Sequence, residues 1–150
     1  MTDAPLTGGC QCGAVRFVVT GEVRAGAICH CRMCQKAFGA FYAPLVVVGA
    51  VAWTRGAPAH FRSSNIARRG FCRDCGTPLS YEPDVGDVEL AIGAFDEPAK
   101  LRPRIQVGLE SRIPWLAELD SLPTLEPGVA EAGEPERPAV RSFQHPDRDT

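Results

Sequence analysis

The sequence predicts a mainly β fold of small antiparallel sheets with one or two short helices. Its apolar segments are short, rich in β-branched residues and separated by Gly, Pro and Asp, the usual pattern of antiparallel sheet proteins. The 15 Gly and 13 Pro among 150 residues impose many turns and leave little uninterrupted chain for helix. Seven cysteines in three tight groups add a third signal, that of sheets pinned by metal.

Taken in order, the first strand signal is GAVRFVVTGEV (13–23), where apolar and polar residues alternate up to a turn at Gly21. FYAPLVVVGAVAW (41–53) reads as a strand apolar on both faces, with Pro44 near its start and a bend or bulge at Gly49. AHFRSS (59–64), PLSYEP (78–83), DVELAIGAF (87–95) and RIQVGLE (104–110) are further strands. Helix is confined to one or two turns in CQKAFGAF (34–41) and two turns in PWLAELDSL (114–122), with Pro114 at the first helical position. Trp53, Trp115 and Phe38 read as core residues rather than substrate platforms.

The length suits one domain, assigned here to residues 1–125. Residues 126–150 are rich in Pro, Glu, Ala, Gly and Arg with scattered apolar positions, so a disordered, dispensable tail is expected. The net charge of −2, with no basic run longer than Arg68 and Arg69, argues against nucleic acid or anionic lipid as a partner. The N-terminal residues lack a signal-peptide pattern, and the longest apolar stretch falls short of the roughly 20 residues a bilayer requires. A cytoplasmic protein is expected, and there an odd number of clustered cysteines points to metal or chemistry rather than disulfides.

The cysteines group as Cys10 and Cys12, then Cys29, Cys31 and Cys34, then Cys72 and Cys75. A C-x-C in extended chain turns two sulfurs to one side, and a C-x-x-C at a tight turn does the same. Gly76 after Cys75 permits the positive φ that such a turn requires. Zinc is tetrahedral, and a closed site takes four ligands where a catalytic site commonly takes three. Seven divides as four plus three in two ways. Either Cys10, Cys12, Cys72 and Cys75 close one site and leave Cys29, Cys31 and Cys34 as another, or Cys31, Cys34, Cys72 and Cys75 form a ribbon-like site. His30, between two ligands in extended chain, should point away from their ion and serve packing or hydrogen bonding.

The blocks GGCQCGAVRF, CHCRMCQKAFGAF, FRSSNIARRGFCRDCGTPLSY, VELAIGAFDEP and SRIPWLAELDSLP, in this order from Leu6 to Leu125, resemble the glutathione-dependent formaldehyde-activating enzyme family, whose domain is shared with centromere protein V. The resemblance implies a mostly β zinc fold with two zinc ions per chain. Cys10, Cys12, Cys72 and Cys75 match the structural zinc ligands. Cys29, Cys31 and Cys34 match a catalytic zinc site that binds the thiol of glutathione and promotes its addition to formaldehyde, a carbon–sulfur lyase activity giving S-hydroxymethylglutathione. Gln106 stands near a place where some members carry His.

Three thiolates on Zn²⁺ leave a charge of about −1, which suits thiol activation better than hydrolysis. Arg32, Lys36 and Arg73 lie near enough in sequence to offset it. The expected partners are thus a small thiol and an aldehyde, with oligomeric state left open. The rival reading is a non-catalytic binding module in which both zinc sites are structural, the second completed by His30 or by a partner's side chain.

Overall fold

The computed structural model describes residues 5–125 and 139–150. Among the described residues ten strands form two sheets, mainly β as the sequence predicts. A three-stranded antiparallel sheet contains β1 (Thr7–Gly9), β2 (Arg16–Val19) and β5 (Val51–Arg55), with β2 in the middle. The larger sheet contains β3 (Val23–Cys29), β4 (Ala43–Val48), β6 (Ala59–Arg62), β7 (Ala67–Phe71), β8 (Pro78–Pro83), β9 (Val88–Ala91) and β10 (Pro103–Val107). Its order is β10-β3-β4-β9-β8-β7-β6, and the β10–β3 pair at one edge is parallel where all others are antiparallel.

The segment 41–53 departs from its sequence reading. It forms two strands, β4 and β5, which lie in different sheets because the chain turns at Gly49 and Ala50. The Gly49 amide closes that turn on the Glu22 carbonyl at 2.8 Å. The central position of β4 explains its apolar residues on both faces, while Pro44, which has no N–H to give, sits at its second residue. Strands β1, β7 and most of β3 carry no strong strand signal. TGG, ARRGF and VRAGAIC are strands through their neighbours.

Phe17 of β2 is fully buried and meets Trp53 and Phe95 edge-on, at 5.8 and 5.0 Å between centroids. Around it, Val19, Val46, Val48, Leu79, Leu90 and Ile92 make one core shared by both sheets, which also encloses Cys10 and Cys72. Removing a side chain such as Phe17 would cost about 3–5 kcal/mol. The Gly8 backbone runs so close to Phe95 and the Phe17 ring that an added Cβ would lie 2.4 Å from the Ala94 carbonyl oxygen. The core thus places the cysteine-bearing turns within a packed body.

The sole α-helix among the described residues, α1 (Arg32–Phe38), starts within the second cysteine group, two residues earlier than the segment 34–41 predicted for it, and ends at Gly39 in the left-handed conformation. Residues Pro114–Ser121 form a 3₁₀-helix with Pro114 at its start, and of these only Leu116 is buried. Trp53 and Phe38 pack against the core, whereas Trp115 is half exposed and meets Phe41 edge-on at 4.7 Å.

The predicted tail divides. Residues 126–138 lie outside the described residues, and 139–150 run past the turn between β1 and β2. The His145 amide donates to the Gln11 carbonyl, and Arg16 donates to the Arg148 carbonyl. Arg16 is buried and forms a two-point ion pair with Asp96, which also accepts from the Thr7 hydroxyl at 2.6 Å. Burial alone would raise the Asp96 pKa, but the bonds from Arg16 and Thr7 outweigh it and hold the carboxyl below its usual 3.8. No helix among the described residues is long and apolar enough to cross a membrane.

Candidate metal centres and the adjoining cleft

All seven cysteines are free thiols, and the fold gathers them into a group of four and a group of three. Cys10, Cys12, Cys72 and Cys75 form the first, with every sulfur within 4.8 Å of the others. Of the two pairings open to the sequence, this is the one that joins the distant half-sites.

Cys10 and Cys12 stand on the turn between β1 and β2, rather than in extended chain, and Cys72 and Cys75 on the turn between β7 and β8. Both turns use a glycine at positive φ, Gly13 at 78° and Gly76 at 77°, where a side chain would be strained. Amides turn inward as a result. Val15 N–H donates to Cys10 Sγ at 3.2 Å, and Gly76 N–H closes its turn on the Cys72 carbonyl at 2.9 Å.

Thr77, which the sequence reading passed over, joins the two turns. Its hydroxyl oxygen accepts from the Gln11 amide at 3.0 Å and lies 3.1 Å from Cys75 Sγ. Burial opposes ionisation of Cys75, yet the Thr77 hydroxyl and neighbouring amides prevail and lower its pKa to about 6.

Cys29, Cys31 and Cys34 form the second group, again within 4.8 Å of one another. Each is placed by a different device. Cys29 ends β3 between β4 and β10, Cys31 caps α1 and accepts from the Cys34 amide at 3.4 Å, and Cys34 lies buried in the first helical turn. Burial pushes Cys34 up to about 12 despite a hydrogen bond from Arg69, while inward amides lower Cys31 against its own burial.

His30 is not gathered with this group as a fourth ligand. It is buried, 2.8 Å from Gln106 Oε1 through Nε2, and edge-on to Tyr42 at 5.7 Å. Gln35 secures the same loop, donating to the carbonyls of His30 and Ser111 at 2.7 and 2.9 Å. The packing role expected for His30 is therefore the observed one.

A cleft of about 200 Å³ opens onto the three sulfurs and is lined also by Arg69, Tyr81 and Glu89. These three residues lie directly opposite one another across β7, β8 and β9, and so form a row on one face of the sheet. Arg69 reaches Cys34 Sγ at 3.3 Å through Nη2 and places its guanidinium 5.0 Å from the centre of the Tyr81 ring. Burial raises the Glu89 pKa above 4.5, with the Arg69 charge opposing. Next to it a wider cleft of about 570 Å³ is bordered by Arg32, Lys36, Arg69, Met33 and Phe61. Arg32 and Lys36 are exposed and border this neighbouring cleft rather than the one that holds the sulfurs, while Arg73 is exposed on the turn of the first group.

Fold and site together define a small mainly β protein with two separate cysteine clusters able to hold metal, one held between two turns and one opening on a cleft that contains Arg69 and Glu89. The profile of the glutathione-dependent formaldehyde-activating enzyme family matches residues 5–111, and the chain belongs to that family. Among solved structures, a structural genomics target protein of Rhodobacter sphaeroides shares the fold with a TM-score of 0.52 at 20% identity, over 67% of this chain and 99% of that one. No curated protein matches the chain at a significant level.

Proposed function

We propose that the chain is a zinc-dependent enzyme of carbon–sulfur lyase type, which activates a thiol such as glutathione for reversible addition to an aldehyde such as formaldehyde. Cys29, Cys31 and Cys34 would hold the catalytic zinc and Cys10, Cys12, Cys72 and Cys75 a structural one. The observation that carries this reading is the open three-sulfur group, set in a cleft within a chain of this family.

The donor chemistry fits zinc. A tetrahedron of sulfurs at about 2.3 Å from the ion has edges of about 3.8 Å. In the four-sulfur group Cys10 and Cys12 are 3.6 Å apart and Cys12 and Cys72 3.8 Å apart. Zinc held by Cys29, Cys31 and Cys34 would supply positive charge that lowers the pKa of a fourth, incoming thiol.

The protein's part is to seat and neutralise. Arg69 places positive charge against Cys34, and Arg32 and Lys36 border the approach, so an anionic thiol enters a cleft that offsets its charge. The 200 Å³ volume has room for a sulfur and a one-carbon aldehyde beside it. The proton released by the thiol leaves to solvent through the open side. With seven unpaired thiols, the protein suits the reducing cytoplasm.

The test is a zinc count together with the rate of glutathione and formaldehyde interconversion, followed by NMR exchange. The wild type should carry two zinc ions and accelerate the exchange, and Cys31→Ser should carry one and lose the acceleration. A second zinc held by four protein ligands, or one that glutathione does not perturb, would replace the enzyme with the non-catalytic binding module.

A further inference from the structure

Arg69 is the most unusually placed charge among the described residues. It is only 7% exposed, and one of its nitrogens donates to Cys34 Sγ at 3.3 Å. Yet Nε and Nη1, equally buried, find no hydrogen-bond partner among the described residues. Leaving two donors of a charged group buried and unused is costly, and native proteins seldom retain such an arrangement without a ligand for it. The guanidinium lies over the Tyr81 ring, 5.0 Å from its centre. The cleft of the three sulfurs and the wider cationic cleft both border this side chain.

We infer that Arg69 is a catalytic residue, whose free N–H donors receive the oxygen of the aldehyde as it gains charge. This rests on the thiol-activation reading above and assigns a role within it. The guanidinium is a planar fork with five donors, so a single side chain can hold one sulfur and still present N–H groups to an atom beside that sulfur.

In the addition step the thiolate sulfur attacks the carbonyl carbon and forms the new C–S bond. The π pair of the C=O bond moves onto oxygen, and the alkoxide so formed lies against Arg69. A solvent proton, equal to the one the thiol released, completes the neutral hemithioacetal. Nothing is oxidised or reduced. Arg69 fits this role because its unpartnered donors are already shielded from water before charge develops, the condition under which such donors act most strongly.

Thioacetate tests the assignment, because it carries an S–C–O unit with negative oxygen character, whereas ethanethiol offers sulfur alone. Both would be titrated into the zinc-loaded protein by calorimetry, in wild type and Arg69→Met, with metal content and melting temperature measured on each. The wild type should prefer thioacetate, and Arg69→Met should reduce the thioacetate-to-ethanethiol affinity ratio by about tenfold or more while retaining two zinc ions. It should also slow the glutathione and formaldehyde exchange by about 10²–10³-fold.

If Arg69→Met does not fold, the wild type alone decides. Its Arg69 side-chain N–H resonances should move downfield with thioacetate and stay in place with ethanethiol. An unchanged affinity ratio, or resonances indifferent to thioacetate, overturns the role of Arg69 while leaving thiol binding intact. If neither thiol binds, the thiol-activation reading falls and this inference with it.

Discussion

The two cysteine groups should differ sharply in what they contribute to stability, and substituting one ligand in each measures it. Cys72→Ser removes a buried thiolate donor from the four-sulfur group, whose members Cys12 and Cys72 are 60 residues apart. On the chain-entropy account of cross-links, closing a loop of that length restricts the unfolded state by about 4 kcal/mol, against about 2 kcal/mol for the short Cys29–Cys34 loop. A domain of this size has roughly 5–15 kcal/mol in total.

Cys72→Ser should therefore lower the melting temperature by roughly 10–20 °C and lose one metal, whereas Cys31→Ser should lose one metal and shift by about half as much. The measurements are calorimetric melts and metal content by mass spectrometry on both variants. Should Cys72→Ser lose one metal and still melt within a few degrees of the wild type, the four-sulfur group does not hold the fold together. Equal shifts in the two variants would refute the loop-length reasoning.

Asp96→Asn should destabilise by about 3–5 kcal/mol, since it leaves the buried Arg16 charge with a neutral partner, and a urea titration reads this directly. Because the folded pKa of Asp96 lies below 3.8, the wild type should lose stability as pH falls beneath that value, and Asp96→Asn should lose less over the same interval. Glu89 behaves oppositely. Its folded pKa is raised above 4.5, so stability should fall as pH rises from 4.5 through the raised value, and Glu89→Gln should flatten that slope in melts taken across the range. Truncation after Leu125 should cost no more than about 1 kcal/mol, because Arg16 keeps Asp96 when it loses the Arg148 carbonyl; a fall in melting temperature beyond roughly 8 °C would show that the segment is part of the fold.

Clustered cysteines at ligand spacing, glycines after them and short β-branched segments are local signals, and they were legible because each depends on residues within one turn or one strand. The β class, a short helix around residues 34–38 and the packing role of His30 follow from such signals. Their pairing was not local. Spacing left two groupings of the cysteines open, and only the sheet order, which brings the β7–β8 turn to the β1–β2 turn, joins Cys10 and Cys12 to Cys72 and Cys75. The split of residues 41–53 into strands of different sheets depends likewise on a turn closed by Glu22, far from Gly49 in sequence.

Arg69 shows the limit most clearly. In RRGF it reads as half of a solvated basic pair, and nothing nearby in sequence distinguishes it from Arg68. Strand alternation sends these two neighbours to opposite faces, so that Arg68 bonds to Glu82 at the exposed surface while Arg69 is buried against Cys34. The sequence by itself determined which chemistry the chain carries. Tertiary structure decided where that chemistry converges, because the alignment of Arg69, Tyr81 and Glu89 is a property of strand register, set by hydrogen bonds between segments the sequence keeps apart.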